Sequence, residues 1–97
     1  MQLSTNDIQI VKDYFSGQPV IKAYVFGSYS RNEADKNSDI DILVDLDYST
    51  HIGLGFVQMQ SDLQQKLQKK IDLVSSKGIS RHLSPFIDKD KVLIYER

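Results

Sequence analysis

The stretch "FGSYSRNEADKNSDIDILVDLD", residues 26–47, decides how this chain is read. A Gly-Ser turn and a basic residue precede "SDIDILV", where two aspartates interrupt an otherwise apolar strand. Aspartate is a poor strand former, and carboxylates are seldom buried without a partner. Both positions work against local stability, so a compensating ligand or cation is expected.

In "DIDILVDL" (39–46), period-two geometry puts Ile40, Ile42, Val44 and Leu46 on one face and Asp39, Asp41, Leu43 and Asp45 on the other. Asp39 and Asp41 then project to the same side at a backbone spacing of about 7 Å, close enough to share one or two hard cations. Two ionised carboxylates ~4 Å apart repel by about 4 kcal/mol at an effective dielectric of ~20, but by only about 1 kcal/mol in water. The pair is tolerable when solvated and costly in a cleft unless a divalent ion such as Mg²⁺ sits there. Taken alone, the two aspartates would better suit a solvated strand face, because period-two polar alternation is common in antiparallel sheets.

The turn ahead of them favours the metal-site reading. Gly27 has no side chain, so a ligand can approach its backbone, and a helix beginning at Ser28 would aim free N–H groups and its positive dipole end at an anion such as phosphate. The Ser28 hydroxyl adds a donor. Arg31 either contacts that anion, fixes the loop by pairing with a carboxylate, or is a surface charge. A phosphate-binding turn followed within about a dozen residues by a carboxylate pair is equipment for displacement at phosphorus of a nucleoside triphosphate. Asp72, in "KIDLVS" (70–75), offers a third carboxylate if its strand lies beside the Asp39–Asp41 strand. There it would ligate a metal or act as general base, the bland alternative being a polar residue on an edge strand.

Outward from this centre, "STND" places Ser4 and Asp7 at capping-box spacing, and Ile8, Val11 and Phe15 recur at helical intervals over residues 4–16. Gly17, in the left-handed conformation, and Pro19 are expected to close that helix. "VIKAYVF" (20–26) predicts a strand, "SYSRNEA" a short helical stretch, and residues 54–70, with Phe56, Met59, Leu63 and Leu67 in a stripe, the longest helix. A helical turn broken or started at Pro85 precedes a last strand, "KVLIYE" (91–96). The alternation predicts an α/β chain, a sheet with helices packed on it, forming one domain over 1–97. The 20-odd residues between the second and third strands suffice for a crossover.

Composition narrows the partners. Twelve Lys plus Arg against 13 Asp plus Glu give a net charge of −1, which disfavours a long nucleic acid as the main substrate. With no cysteine there is neither a disulfide framework nor a thiolate zinc site, so any metal must be held by oxygen or imidazole. The N-terminus has no basic start with an unbroken apolar run, and no segment approaches about 18 consecutive apolar residues, so the expected setting is cytoplasmic, away from membranes. His51 and His82 lack ligand-spaced partners and read as surface residues. Asp45 and Asp47 read as solvated or capping residues, Lys69 and Lys70 as solvating a helix end, and Lys36 and Lys77 as candidates for a place near a triphosphate. Ser38 either orients a carboxylate or starts the strand.

"GSYSRNEADKNSDIDILVDLD" (27–47) resembles the Gly-Ser, Arg, Ser-Asp-x-Asp signature of the polymerase-β-like nucleotidyltransferases, and the chain is similar nearly end to end to the minimal nucleotidyltransferases of prokaryotes. Asn32 stands where the family often has glycine, and asparagine tolerates positive φ better than most residues. The resemblance implies a small mixed four-stranded sheet with helices mainly on one face. It also implies Gly27 and Ser28, with Arg31, at the triphosphate, Asp39 and Asp41 on two Mg²⁺ ions, and Asp72 as the third acidic position. It further implies a toxin–antitoxin pairing in which AMP passes from ATP to a tyrosine of a HEPN-domain toxin, within a hetero-oligomer. A binding-only antitoxin, or an enzyme that adenylylates a small molecule or an RNA end, are the alternatives.

Overall fold

The computed structural model describes residues 3–35 and 37–97, so the expectation for Lys36 lies outside the described residues. The elements run α1 (Thr5–Ser16), β1 (Val20–Phe26), β2 (Ile40–Leu46), α2 (Gly55–Leu67), β3 (Ile71–Ser75), a single 3₁₀ turn (Ser76–Gly78), α3 (Ser84–Asp90) and β4 (Val92–Glu96). The four strands form one sheet in the order β3-β2-β1-β4. β1 is antiparallel to both β2 and β4, whereas β2 and β3 run parallel, joined through α2. The mixed sheet follows from connection length, because only the β2–β3 link carries a helix long enough to bring the chain back in the same direction.

The main core lies between the sheet and α1 and α2. Ile40, Ile42 and Val44 are fully buried there, with Val11 and Phe15 of α1 and Met59 and Leu63 of α2 against them. Tyr14 Oη donates to Asp62 Oδ2 at 2.6 Å, tying α1 to α2, and Lys69, just beyond the end of α2, pairs with Asp7 of α1 at 3.1 Å. Burial and the Asp62 carboxylate together push the Tyr14 hydroxyl far above its ordinary range. Leu43, which shares its strand face with Asp41, is only 2% exposed although it lies outside this cluster. The aspartate face is therefore not simply a wet one.

Three local expectations need correction. Gly17 does not enter the left-handed region (φ −99); α1 closes through tight bonds from Gly17 N–H to the Tyr14 carbonyl and Gln18 N–H to the Phe15 carbonyl. Residue Gln68 (φ 53) takes the left-handed capping position instead and ends α2 short of Lys70. "SYSRNEA" is a run of turns. Ser30 and Arg31 N–H both donate to the Gly27 carbonyl, Ser30 Oγ adds a third bond to it at 2.9 Å, and Asn32 at φ 59 then reverses the chain. Serine and asparagine compete with a helix by such local bonds, and here they win.

Edge strand β3 is protected by α2. Gln64 Oε1 accepts from Ile71 N–H at 3.1 Å, and Gln60 Oε1 from Leu73 N–H at 3.0 Å, so the outward amides of the strand are bonded by side chains one helical turn apart. Replacing either glutamine by alanine is expected to cost about 1 kcal/mol, and replacing both to leave an adhesive edge. Urea denaturation with light scattering checks both effects.

Candidate active site

The site grows out of the ladder register. Asp41 is paired with Phe26 on β1 and with Asp72 on β3, so the strand neighbours bring the end of β1 and the third acidic residue to its two sides. Gly27 follows Phe26 directly and has φ +73; a Cβ there would run into the Asp41 carboxylate. Glycine is thus required twice, for its backbone conformation and because the Asp41 side chain fills the space. The predicted neighbourhood of Gly27, Asp41 and Asp72 is assembled by backbone pairing alone.

Electrostatics follow from this crowding. The Asp41 carboxyl is pushed up to about 6, first by burial and then by the Asp72 and Asp39 charges, with Arg31 pulling weakly in the other direction. Asp39, immediately ahead of β2, faces Lys70 Nζ at 3.8 Å. Among the described residues no three acidic or imidazole side chains stand close enough to form a finished ion cage. An all-oxygen donor set containing an anion that is destabilised by its surroundings suits a hard divalent ion, and in that sense the residues fit Mg²⁺.

Other candidates are placed as follows. Arg31 is engaged by carboxylates, with Nε on Glu33 at 3.1 Å and a terminal nitrogen on Asp90 at 2.5 Å, which raises its already high pKa and fastens the turn to α3. Of the readings open to it, fixing the loop is the one that the geometry matches. Ser28 lies on the turn with its carbonyl accepting from Glu33 N–H at 2.8 Å. Ser38 Oγ accepts from Asp35 N–H at 3.0 Å and so serves its own loop. Lys77 lies over the Tyr48 ring at 4.1 Å. Asp47 is a loop cap, held at about 2 by Arg97 and Ser49. His51 and His82 are exposed. Lys70 was missed: it reads as a helix-end lysine only while the helix is carried three residues too far.

Comparison with known proteins decides the family. The model of the polymerase beta nucleotidyltransferase family matches residues 9–97. The chain belongs to this family. Protein adenylyltransferase MntA of Thermococcus cleftensis is 33% identical over 70 residues, covering 72% of this chain and 70% of MntA. Two solved structures share the fold: a toxin–antitoxin crystal structure with AMP-PNP (TM-score 0.76, 23% identity, 97% of this nucleotidyltransferase chain and 75% of that one) and a tri-AMPylated Shewanella oneidensis HEPN toxin in complex with MNT antitoxin (TM-score 0.68, 24% identity, 95% and 71%). The mixed sheet with helices mainly on one face is the family's, as the resemblance implied. No helix among the described residues of this nucleotidyltransferase is long and apolar enough to cross a membrane.

Proposed function

We propose that this nucleotidyltransferase moves AMP from ATP to a hydroxyl, most simply a tyrosine of a HEPN toxin partner, and thereby acts as its antitoxin. The observation that carries the reading is Asp41 wedged between Gly27 and Asp72, its carboxyl pushed up to about 6 by burial and by the Asp72 and Asp39 charges, with no ion pair to it among the described residues. Asp39, Asp41 and Asp72 would hold Mg²⁺, which when bound neutralises their charge and polarises the phosphate oxygens. Gly27 leaves its backbone open to the triphosphate, with the Ser28 hydroxyl beside it. Arg31, through Asp90, keeps the turn from collapsing into that space. Asp72, exposed on β3, would take the proton of the attacking hydroxyl, whose oxygen bonds to the α-phosphorus as pyrophosphate leaves.

The named activity of MntA and the toxin complexes of the structural neighbours support the choice of a protein acceptor. Incubation with Mg-ATP and the co-expressed partner toxin, followed by intact-mass spectrometry, tests it. The expected result is a mass gain of one or more AMP units on the toxin, absent with Asp39→Asn. Neutralisation of the toxin that persists unchanged in Asp39→Asn, with no mass gain in either case, would instead establish a binding-only antitoxin.

A further inference from the structure

The alternation that gathers the carboxylates also delivers one cation to them. Lys70 directly precedes β3 and its carbonyl accepts from Ile40 N–H at 2.9 Å, one step before the Ile40–Ile71 and Asp41–Asp72 pairs. Residues two apart on a strand share a face, so Lys70 and Asp72 stand beside Asp39 and Asp41 as two neighbouring rungs. The Lys70 ammonium is 3.8 Å from Asp39 Oδ2, and this is the one ion pair among the described residues that reaches any of the three aspartates. Its neighbour Lys69 lines the same side of the molecule but is paired with Asp7 at 3.1 Å. The Lys70–Asp39 pair borders an open cavity of about 450 Å³, which also touches Ser38 and Gln68.

We propose that Lys70 is a positioning residue: it holds Asp39 while no divalent ion is bound, and an arriving ion must displace it, so that Lys70 sets the ion concentration at which the site loads. This rests on the divalent-ion reading above. The Lys70 side chain is 77% exposed and Asp39 42%, and 3.8 Å is an ion pair rather than a hydrogen bond. Such a pair is weak enough to be exchanged, and an ammonium on a flexible four-carbon stem has water to retreat into. Among the described residues no ion pair reaches Asp41 or Asp72, so the ion's competition with Lys70 centres on Asp39.

The test uses the whole chain and Mn²⁺ alone, without nucleotide, with the free ion followed by electron paramagnetic resonance. Lys70→Gln is expected to bind Mn²⁺ about threefold to fivefold more tightly than the parent protein, the size of one exposed ion pair. Lys70→Arg, which keeps the charge, should bind like the parent. Lys69→Gln, which removes the same charge one residue away, should stay within about twofold. Equal or weaker binding by Lys70→Gln, or equal tightening by Lys69→Gln, overturns the role of Lys70 while leaving the ion site standing. No uptake of Mn²⁺ by either parent or Lys70→Gln overturns this inference, while the joint uptake of ion and triphosphate is judged by its own titration.

Discussion

Replacing Asp41 by asparagine is expected to abolish nucleotidyl transfer, by on the order of a thousandfold, and at the same time to make the protein more stable at pH 7.5. The loss follows because the amide cannot supply an anionic ligand at the centre of the site. The gain follows from linkage. Burial, with the Asp72 and Asp39 charges, pushes the Asp41 carboxyl up to about 6 in the folded chain from its ordinary value of 3.8, so folding tightens its hold on the proton. The favourable contribution is complete below pH 3.8 and is lost as the pH rises through about 6. Above that, the ionised carboxylate opposes folding. A displacement of this size would correspond to about 3 kcal/mol for a fully buried group. Screening by solvent on a half-exposed side chain reduces this to about 1 kcal/mol, or roughly 4–8 °C in melting temperature for a chain of this length. The advantage of Asp41→Asn should shrink at pH 5, where the parent carboxyl is mostly protonated, and also on adding Mg²⁺, which stabilises the parent alone. Thermal melts at the two pH values, with and without Mg²⁺, measure each part.

Gly27→Ala is expected to be the most damaging single methyl in the chain. At φ +73 an alanine pays for the left-handed backbone, and its Cβ meets the Asp41 carboxylate, which is itself fixed by pairing on both sides. Together these should cost about 2–4 kcal/mol and reduce transfer about a hundredfold or more. The coupling is specific. Combining Gly27→Ala with Asp41→Ala removes the clash but not the backbone strain, so the double variant should be more stable than the sum of the single changes by about 1 kcal/mol or more. Urea unfolding of the four proteins in the cycle supplies the number. Strict additivity would mean that the glycine is needed for its dihedral alone.

What the sequence made legible is what depends on strict periodicity. Alternation in "DIDILVDL" assigned Ile40, Ile42 and Val44 to the core and set Asp41 apart from them, and all three apolar residues are fully buried. Asp72 was placed conditionally on its strand lying beside β2, and the parallel register supplies that condition. Asn32 was singled out as tolerant of positive φ and has φ 59. The failures lie where local bonds override pattern. "SYSRNEA" has the composition of a helix start, yet three bonds converging on the Gly27 carbonyl make it a turn. Gln68 in a left-handed cap carries no sequence mark, and without it α2 ran on through Lys70 and hid that lysine's place beside Asp39. Gln60 and Gln64 counted only as polar helix positions. Their bonds to the β3 edge depend on how α2 lies over the sheet, which periodicity along one chain segment does not encode.

Asp39, Asp41 and Asp72, beside the Gly27 turn, are proposed to take up a divalent ion together with a triphosphate. Isothermal titration calorimetry of AMP-PNP into the protein, with Mg²⁺ and then with EDTA, tests this most directly. Binding that requires Mg²⁺ in the parent and is lost in Asp41→Asn is the predicted result. Uptake of the nucleotide that is indifferent to Mg²⁺, or equal in the parent and Asp41→Asn, would contradict it.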